Sequence, residues 1–117
     1  MSGSRIRFAD RIELEEHYND HGADFGASDA FEYQNMAEEF LCGDKEVGIL
    51  QCTRTGGDMI RFCLKTSRFG VISQSGIIRT FFMPLRCVDK PVHSTKRCHD
   101  YASDEDYYRA SCSERRR

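Results

Sequence analysis

His17 and His21 stand four residues apart in a stretch with helical patterning, a spacing that puts both imidazoles on one helix face. Imidazole titrates nearest neutral pH, so two on one face suit a general acid and a general base. The pair also suits a zinc ion, although Tyr18-Asn19-Asp20 between them does not give H-E-x-x-H and no third ligand stands out. It suits equally two surface or capping histidines without chemistry. A second set, Arg61, Lys65, Arg68 and Arg79, lies in a strand-patterned region beside Thr66, Ser67 and Thr80. Arg61 and Lys65 have even spacing and are expected on one sheet face. Guanidinium groups grip phosphate through paired hydrogen bonds, and hydroxyls add donors to its oxygens. Without a ligand, the same residues make a solvated basic face.

An imidazole pair beside such a sheet meets the needs of cofactor-free, metal-independent RNA cleavage. One group deprotonates the ribose 2′-hydroxyl, another protonates the leaving 5′-oxygen, and cations stabilise the phosphorane. There is no P-loop, no G-x-G-x-x-G and no nucleophile elbow. Phe62, Phe69, Phe81 and Phe82 are assigned to the core rather than to a base-stacking platform, whereas Tyr101, Tyr107 and Tyr108 fit either role.

The elements that must position these groups read as helices first and strands second. Asp10, with Glu13 three residues on, is an N-cap opening a helix over residues 11–20, and Gly22 is its expected stop. Ile12, Leu14, Tyr18 and His21 form its apolar stripe. Ser28 is a second expected N-cap. Ala30, Tyr33, Ala37, Phe40 and Leu41 then recur at helical spacing over residues 29–42, ended by Gly43. From Val47 the period changes. Strands are expected over 47–53, 59–65, 68–73 and 77–83, with turns at Gly56-Gly57 and Gln74-Ser75-Gly76. Residues 91–98 read as loop, Ser103 as the cap of a short helix over 104–112, and residues 113–117 as a frayed end. The expected architecture is α+β: two N-terminal helices on a four-stranded antiparallel meander, with a short C-terminal helix.

The chain has 117 residues, the size of one domain, with a core expected over about 11–112. Its net charge of −2 hides an asymmetry. Residues 1–60 carry 5 Lys/Arg against 13 Asp/Glu, and residues 61–117 carry 12 against 6. This fits either an anionic ligand on one face or a self-complementary balance within the domain. No apolar run is long enough to span a membrane, and the N-terminal residues lack the apolar stretch of a signal peptide. Six cysteines, none in a C-x-x-C pair, permit three disulfides. With no secretory signal, and with Cys52 and Cys63 in apolar strands, mostly reduced thiols are expected.

The order of motifs adds a family resemblance. His17, His21-Gly22, Phe25-Gly26, Glu32-Tyr33 and Ala37 are followed by Arg61-Phe62, Phe69-Gly70-Val71, Gly76, Ile78, Thr80, Phe81, Phe82 and Pro84. This series, over residues 11–84, resembles toxin-type nucleases of the barnase–EndoU–colicin–RelE group, found at the C-termini of polymorphic and contact-dependent toxins. The resemblance implies a metal-independent endoribonuclease that cleaves tRNA or other structured RNA to a 2′,3′-cyclic phosphate. It implies a cytoplasmic site of action after delivery within a secreted toxin, and a cognate immunity protein as partner. It assigns His17 and His21 to acid–base work, Arg61 and Arg79 to the phosphate and Thr80 to orienting it; Lys65, Thr66 and Arg68 are substrate-binding candidates. One departure is Cys63, where group members often carry aspartate. The alternative is a non-catalytic RNA- or protein-binding module using the same basic sheet face.

Overall fold

Asp10 and Asp29 are extended residues whose carboxylates accept from the amides of Glu13 and Glu32, each 2.8 Å away. Each caps the helix that follows, satisfying a donor the first turn leaves free. The first helix, α1, is Arg11–His21, and α2 is Ala30–Cys42. Asp29 takes the role expected of Ser28, and Glu32 reaches back to accept from the Ser28 amide and hydroxyl. Gly22 does not stop α1 in a left-handed conformation. The chain tightens into a 3-10 turn, Gly22–Phe25, and Gly26 at φ 70° supplies the left-handed residue. The computed structural model describes residues 6–114. The N-terminal leader reading and the last three residues of the expected frayed end lie outside them.

Five strands follow one another as β1 Arg7–Phe8, β2 Ile49–Thr53, β3 Met59–Cys63, β4 Phe69–Ile72 and β5 Ile77–Phe82. β2 to β5 form the expected antiparallel meander. The sheet is nevertheless five-stranded and mixed, in the order β1-β5-β4-β3-β2, because β1 pairs parallel to β5. Two residues are too few to show an alternating pattern, so this strand was not expected. The strand β3 also ends at Cys63, which leaves Lys65 in the following turn rather than on the sheet. A third helix, α3, is Asp104–Ser113; the Ser103 hydroxyl accepts from the Asp106 amide.

Helices cover both faces of the sheet, and each face has its own core. On one side Tyr33, Ala37 and Leu41 of α2, Leu14 of α1 and Phe8 pack against Ile72, Ile78 and Phe81. On the other, Tyr108 of α3 packs on Ile60, Phe62, Phe69 and Val71. Alternation along β3 and β4 sends neighbouring side chains to opposite layers. Close approach of α2 depends on Gly70: a Cβ there would stand 3.0 Å from Leu41 Cδ2. Ile12, expected in the apolar stripe of α1, is 69% exposed, and Leu14 is the buried residue of that helix.

Tyr33 is fully buried, and its hydroxyl donates to the Phe81 carbonyl of β5. Burial pushes its pKa well above the ordinary tyrosine value, so it remains a donor at any ordinary pH. Tyr33→Phe is expected to cost about 1–3 kcal/mol by leaving a buried carbonyl unpaired. Urea denaturation checks this: the midpoint should fall with the slope unchanged.

The cysteines overturn the expectation of reduced thiols. Cys52 of β2 is joined to Cys112 of α3, and Cys87 to Cys98 in the loop before α3. Cys42 and Cys63 are free. The apolar setting of Cys52 indicated a buried thiol from sequence, but α3 brings Cys112 against the same face. No helix among the described residues is long and apolar enough to cross a membrane.

Candidate active site

Beyond Phe8 the chain leaves the sheet and enters α1, which packs against both β1 and β5. The residues facing that border are one turn apart, His17 and His21. Their ring centroids are 6.1 Å apart. His17 lies 5.0 Å from the Phe8 ring, and His21 stacks on Phe82 at 5.3 Å. Glu13 Oε1 is 3.6 Å from His17 Nε2, while His17 Nδ1 is buried with no hydrogen-bond partner among the described residues. His21 is half-buried; burial pushes its pKa below the ordinary 6.5, and the neighbouring His17 pushes in the same direction. Asp20 and Asp24 oppose this, and Lys96, another neighbour, adds to the lowering. Lys96 Nζ donates to both Asp24 carboxylate oxygens at 2.7 Å.

Aromatic rings continue from the histidine pair toward α3. Phe82 is 5.2 Å from Phe69, Phe69 is 5.2 Å from Tyr107, and Tyr107 stacks on His99 at 4.8 Å. Phe82 and Tyr107 are half-buried and pack against the α3-side core. His99 is 9% exposed, and both its ring nitrogens are engaged. Nδ1 accepts from the Tyr101 amide, so Nε2 carries the proton and donates to Asp104 Oδ1 at 2.8 Å. His99 thus pins the preceding loop to the start of α3. Sequence reading missed it and Lys96, because Lys96 meets Asp24 across 72 residues and His99 is brought against Tyr107 by the fold of the loop beside Cys87–Cys98.

The cations expected to serve the histidines are dispersed. Arg61 Nη1 donates to the Phe40 and Gly43 carbonyls at the end of α2, and its Nε donates to Gln51 Oε1 at 2.8 Å. It closes the C-terminus of a helix, where the dipole favours a positive charge. Arg79 belongs to the opposite side. Val71 pairs with Thr80 and Ile72 with Ile78, so Arg79 is the extra residue of a β-bulge. Its Nε donates to Asp58 Oδ1 at 2.9 Å. Thr80, half-buried, shares β5 with Phe82. Arg68 holds its guanidinium carbon 5.2 Å from the ring centroid of Phe25, the last residue of the 3-10 turn that follows His21. Lys65 is exposed, and Thr66 Oγ1 accepts from the Arg68 amide. Although burial pushes the Cys63 thiol up, hydrogen bonds from Thr66 and the Lys65 backbone outweigh it and leave its pKa lowered. Among the described residues no three His, Cys, Asp or Glu side chains are grouped to hold a metal ion. Two surface cavities, of about 250 and 280 Å³, are lined by neither His17 nor His21.

Asp58, only 4% exposed, accepts from Arg79 and, through Oδ2, from Arg54 Nη2 at 3.0 Å. Burial pushes its pKa up, but the two arginine hydrogen bonds prevail and hold it below the ordinary 3.8. The stability it contributes is therefore complete above about 3.8 and lost as pH falls through the lower folded-state value. Asp58→Asn strands the buried Arg54 and is expected to cost about 3–5 kcal/mol. Its melting temperature should lie far below wild type at pH 7, with the gap narrowing toward pH 2.

The chain is thus an α+β protein with a five-stranded mixed sheet and a half-buried imidazole pair at its border. No protein-family model matches it, and neither does any curated protein. Among solved structures it is similar to a ribonuclease from Escherichia coli complexed with its inhibitor protein. The identity is 20%, the TM-score 0.47, and the match covers 61% of this chain and 82% of that one.

Proposed function

We propose that the protein is a metal-independent endoribonuclease acting at His17 and His21. The observation that carries this reading is the pair itself: two imidazoles 6.1 Å apart, one of them desolvated against Phe82 with its pKa lowered. A lowered pKa leaves His21 unprotonated at neutral pH, ready to act as base. His21 takes the proton of a ribose 2′-hydroxyl, and that oxygen attacks the adjacent phosphorus. The bond to the 5′-oxygen breaks, and His17 Nε2, beside the Glu13 carboxylate, delivers a proton to the leaving oxygen. The products are a 2′,3′-cyclic phosphate and a 5′-hydroxyl, and the two histidines exchange their protons with water to reset. Lys96 and Arg68 are the cations on this border, in place of Arg61. The accessible parts of the half-buried Phe82 and Tyr107 rings are where unpaired bases stack.

The reading extends to tRNA or another structured RNA as substrate, to delivery into a target cell and to an immunity protein covering the site. The two disulfides support passage through an oxidising compartment. A binding module without chemistry is favoured by one observation, the commitment of Arg61 to the end of α2. Total tRNA incubated with the protein in EDTA separates the two. Discrete fragments ending in cyclic phosphate, absent with the His17→Ala/His21→Ala variant, support the ribonuclease. Binding that survives the double substitution, with no cleavage by the wild type, supports the module.

A further inference from the structure

A second charged centre lies on the α3 side of the sheet, with no part in the acid–base step. Arg54 closes β2, and its side chain is only 6% exposed. A guanidinium so deep needs partners for all its donors. Asp58 takes Nη2 and Glu114 takes Nη1 at 2.9 Å, but Nε is buried with no partner among the described residues. Asp58 also holds Arg79, whose side chain is 44% exposed and whose terminal nitrogens bond to none of the described residues. The two arginines are thus fixed about one carboxylate, with Arg79 presenting open donors to solvent.

The ligand on Arg54 is unusual among these partners. Glu114 is 58% exposed, follows the last turn of α3 and reaches Arg54 from outside the sheet. Cys112, two residues earlier, is joined to Cys52, two residues before Arg54. The disulfide therefore sets an anionic side chain on a buried arginine while leaving that side chain open to water, where another anion can exchange for it.

We propose that Arg54 and Arg79, held by Asp58, form a subsite for a phosphodiester, and that the Glu114 carboxylate occupies it when no nucleic acid is bound. The identity of the anion rests on the ribonuclease reading above. Arg79 precedes Phe82 by three residues, about 10 Å along an extended strand. A nucleic-acid strand crosses that length in a few nucleotides, so the subsite takes a phosphate flanking the one that reacts.

The test uses the whole, oxidised protein and a fluorescent single-stranded oligodeoxythymidylate, which lacks the 2′-hydroxyl and cannot be cleaved. Anisotropy gives affinity as a function of salt. Arg79→Gln is expected to weaken binding about tenfold and to reduce the salt slope by about 0.7, the contribution of one phosphate contact. Glu114→Gln should tighten binding several-fold. Glu105→Gln, the same charge change at an α3 residue paired to Arg109, should leave it unaltered. Wild-type affinity and slope in Arg79→Gln, equal tightening in both glutamate variants, or no binding by the wild type each overturn the subsite. The two readings fail separately. Arg79-dependent binding without RNA cleavage leaves the subsite and removes the ribonuclease. Histidine-dependent cleavage with unaltered Arg79→Gln binding does the reverse.

Discussion

His21→Ala is expected to lower RNA cleavage by about 10²–10⁴-fold, the range a positioned general base contributes. His17→Ala should lose a similar factor, and the double variant little more, because the two act in one step. The substitutions leave Leu14, the one buried residue of α1, in place, so circular dichroism should remain that of the wild type. The pH dependence carries a sign. Because burial and His17 both push His21 down, its neutral form persists to a pH below 6.5, and the acid limb of kcat/KM should lie there. In an NMR titration the His21 midpoint should rise toward 6.5 in His17→Ala. A midpoint at or above 6.5 in the wild type, or cleavage unaltered in His21→Ala, removes His21 from the role of base. Linkage adds a stability effect. The unfolded chain takes up a proton at His21 near 6.5 and the folded chain only at lower pH, so stability falls as pH drops from about 6.5.

The second large effect concerns Cys52–Cys112. These positions are 60 residues apart in sequence, and the link restricts the unfolded chain over that whole span. Loop-closure entropy puts its contribution at about 4 kcal/mol. Cys52→Ser/Cys112→Ser should therefore melt on the order of 15 °C below wild type, with Cys87–Cys98 intact. The same variant frees the end of α3, which otherwise rests on Tyr108 and the Glu114–Arg54 contact. A melting temperature within two or three degrees of wild type would show that the unfolded chain gains little freedom when the link is absent.

What was legible in the sequence was local. Asp10 with Glu13, Ser103 with the helix after it, and the glycine-bearing turns between β2 and β3 and between β4 and β5 each act within a few residues, and each appears as read. The pairing of Arg7–Phe8 with Ile77–Ile78 was not legible, since it rests on backbone bonds between distant segments and leaves no side-chain period. The site shows the same division. The four-residue spacing of His17 and His21 sets a shared helix face, which the fold retains. Strand alternation predicts one face for Arg61 and Lys65, but β3 ends at Cys63 and Lys65 lies in the turn beyond it. The bulge at Arg79 shifts the parity of β5, so Arg61 and Arg79 serve opposite sides of the sheet. Cysteine pairing and the arrival of His99 and Lys96 depend on where the last thirty or so residues fold back, and periodicity does not carry that.

The two disulfides also divide the molecule by how it opens. The span closed by Cys52 and Cys112 contains β3, β4, β5 and most of α3, with the Cys87–Cys98 loop nested inside it. Everything before β2 is outside, including α1, which buries a single residue. Amide exchange in native buffer should therefore show α1 opening as the least protected helix, while the cross-linked strands exchange only through global unfolding. The pair of histidines rides on that first-opening unit. Mild stress should therefore disturb the histidine pair before the strands beneath it come apart.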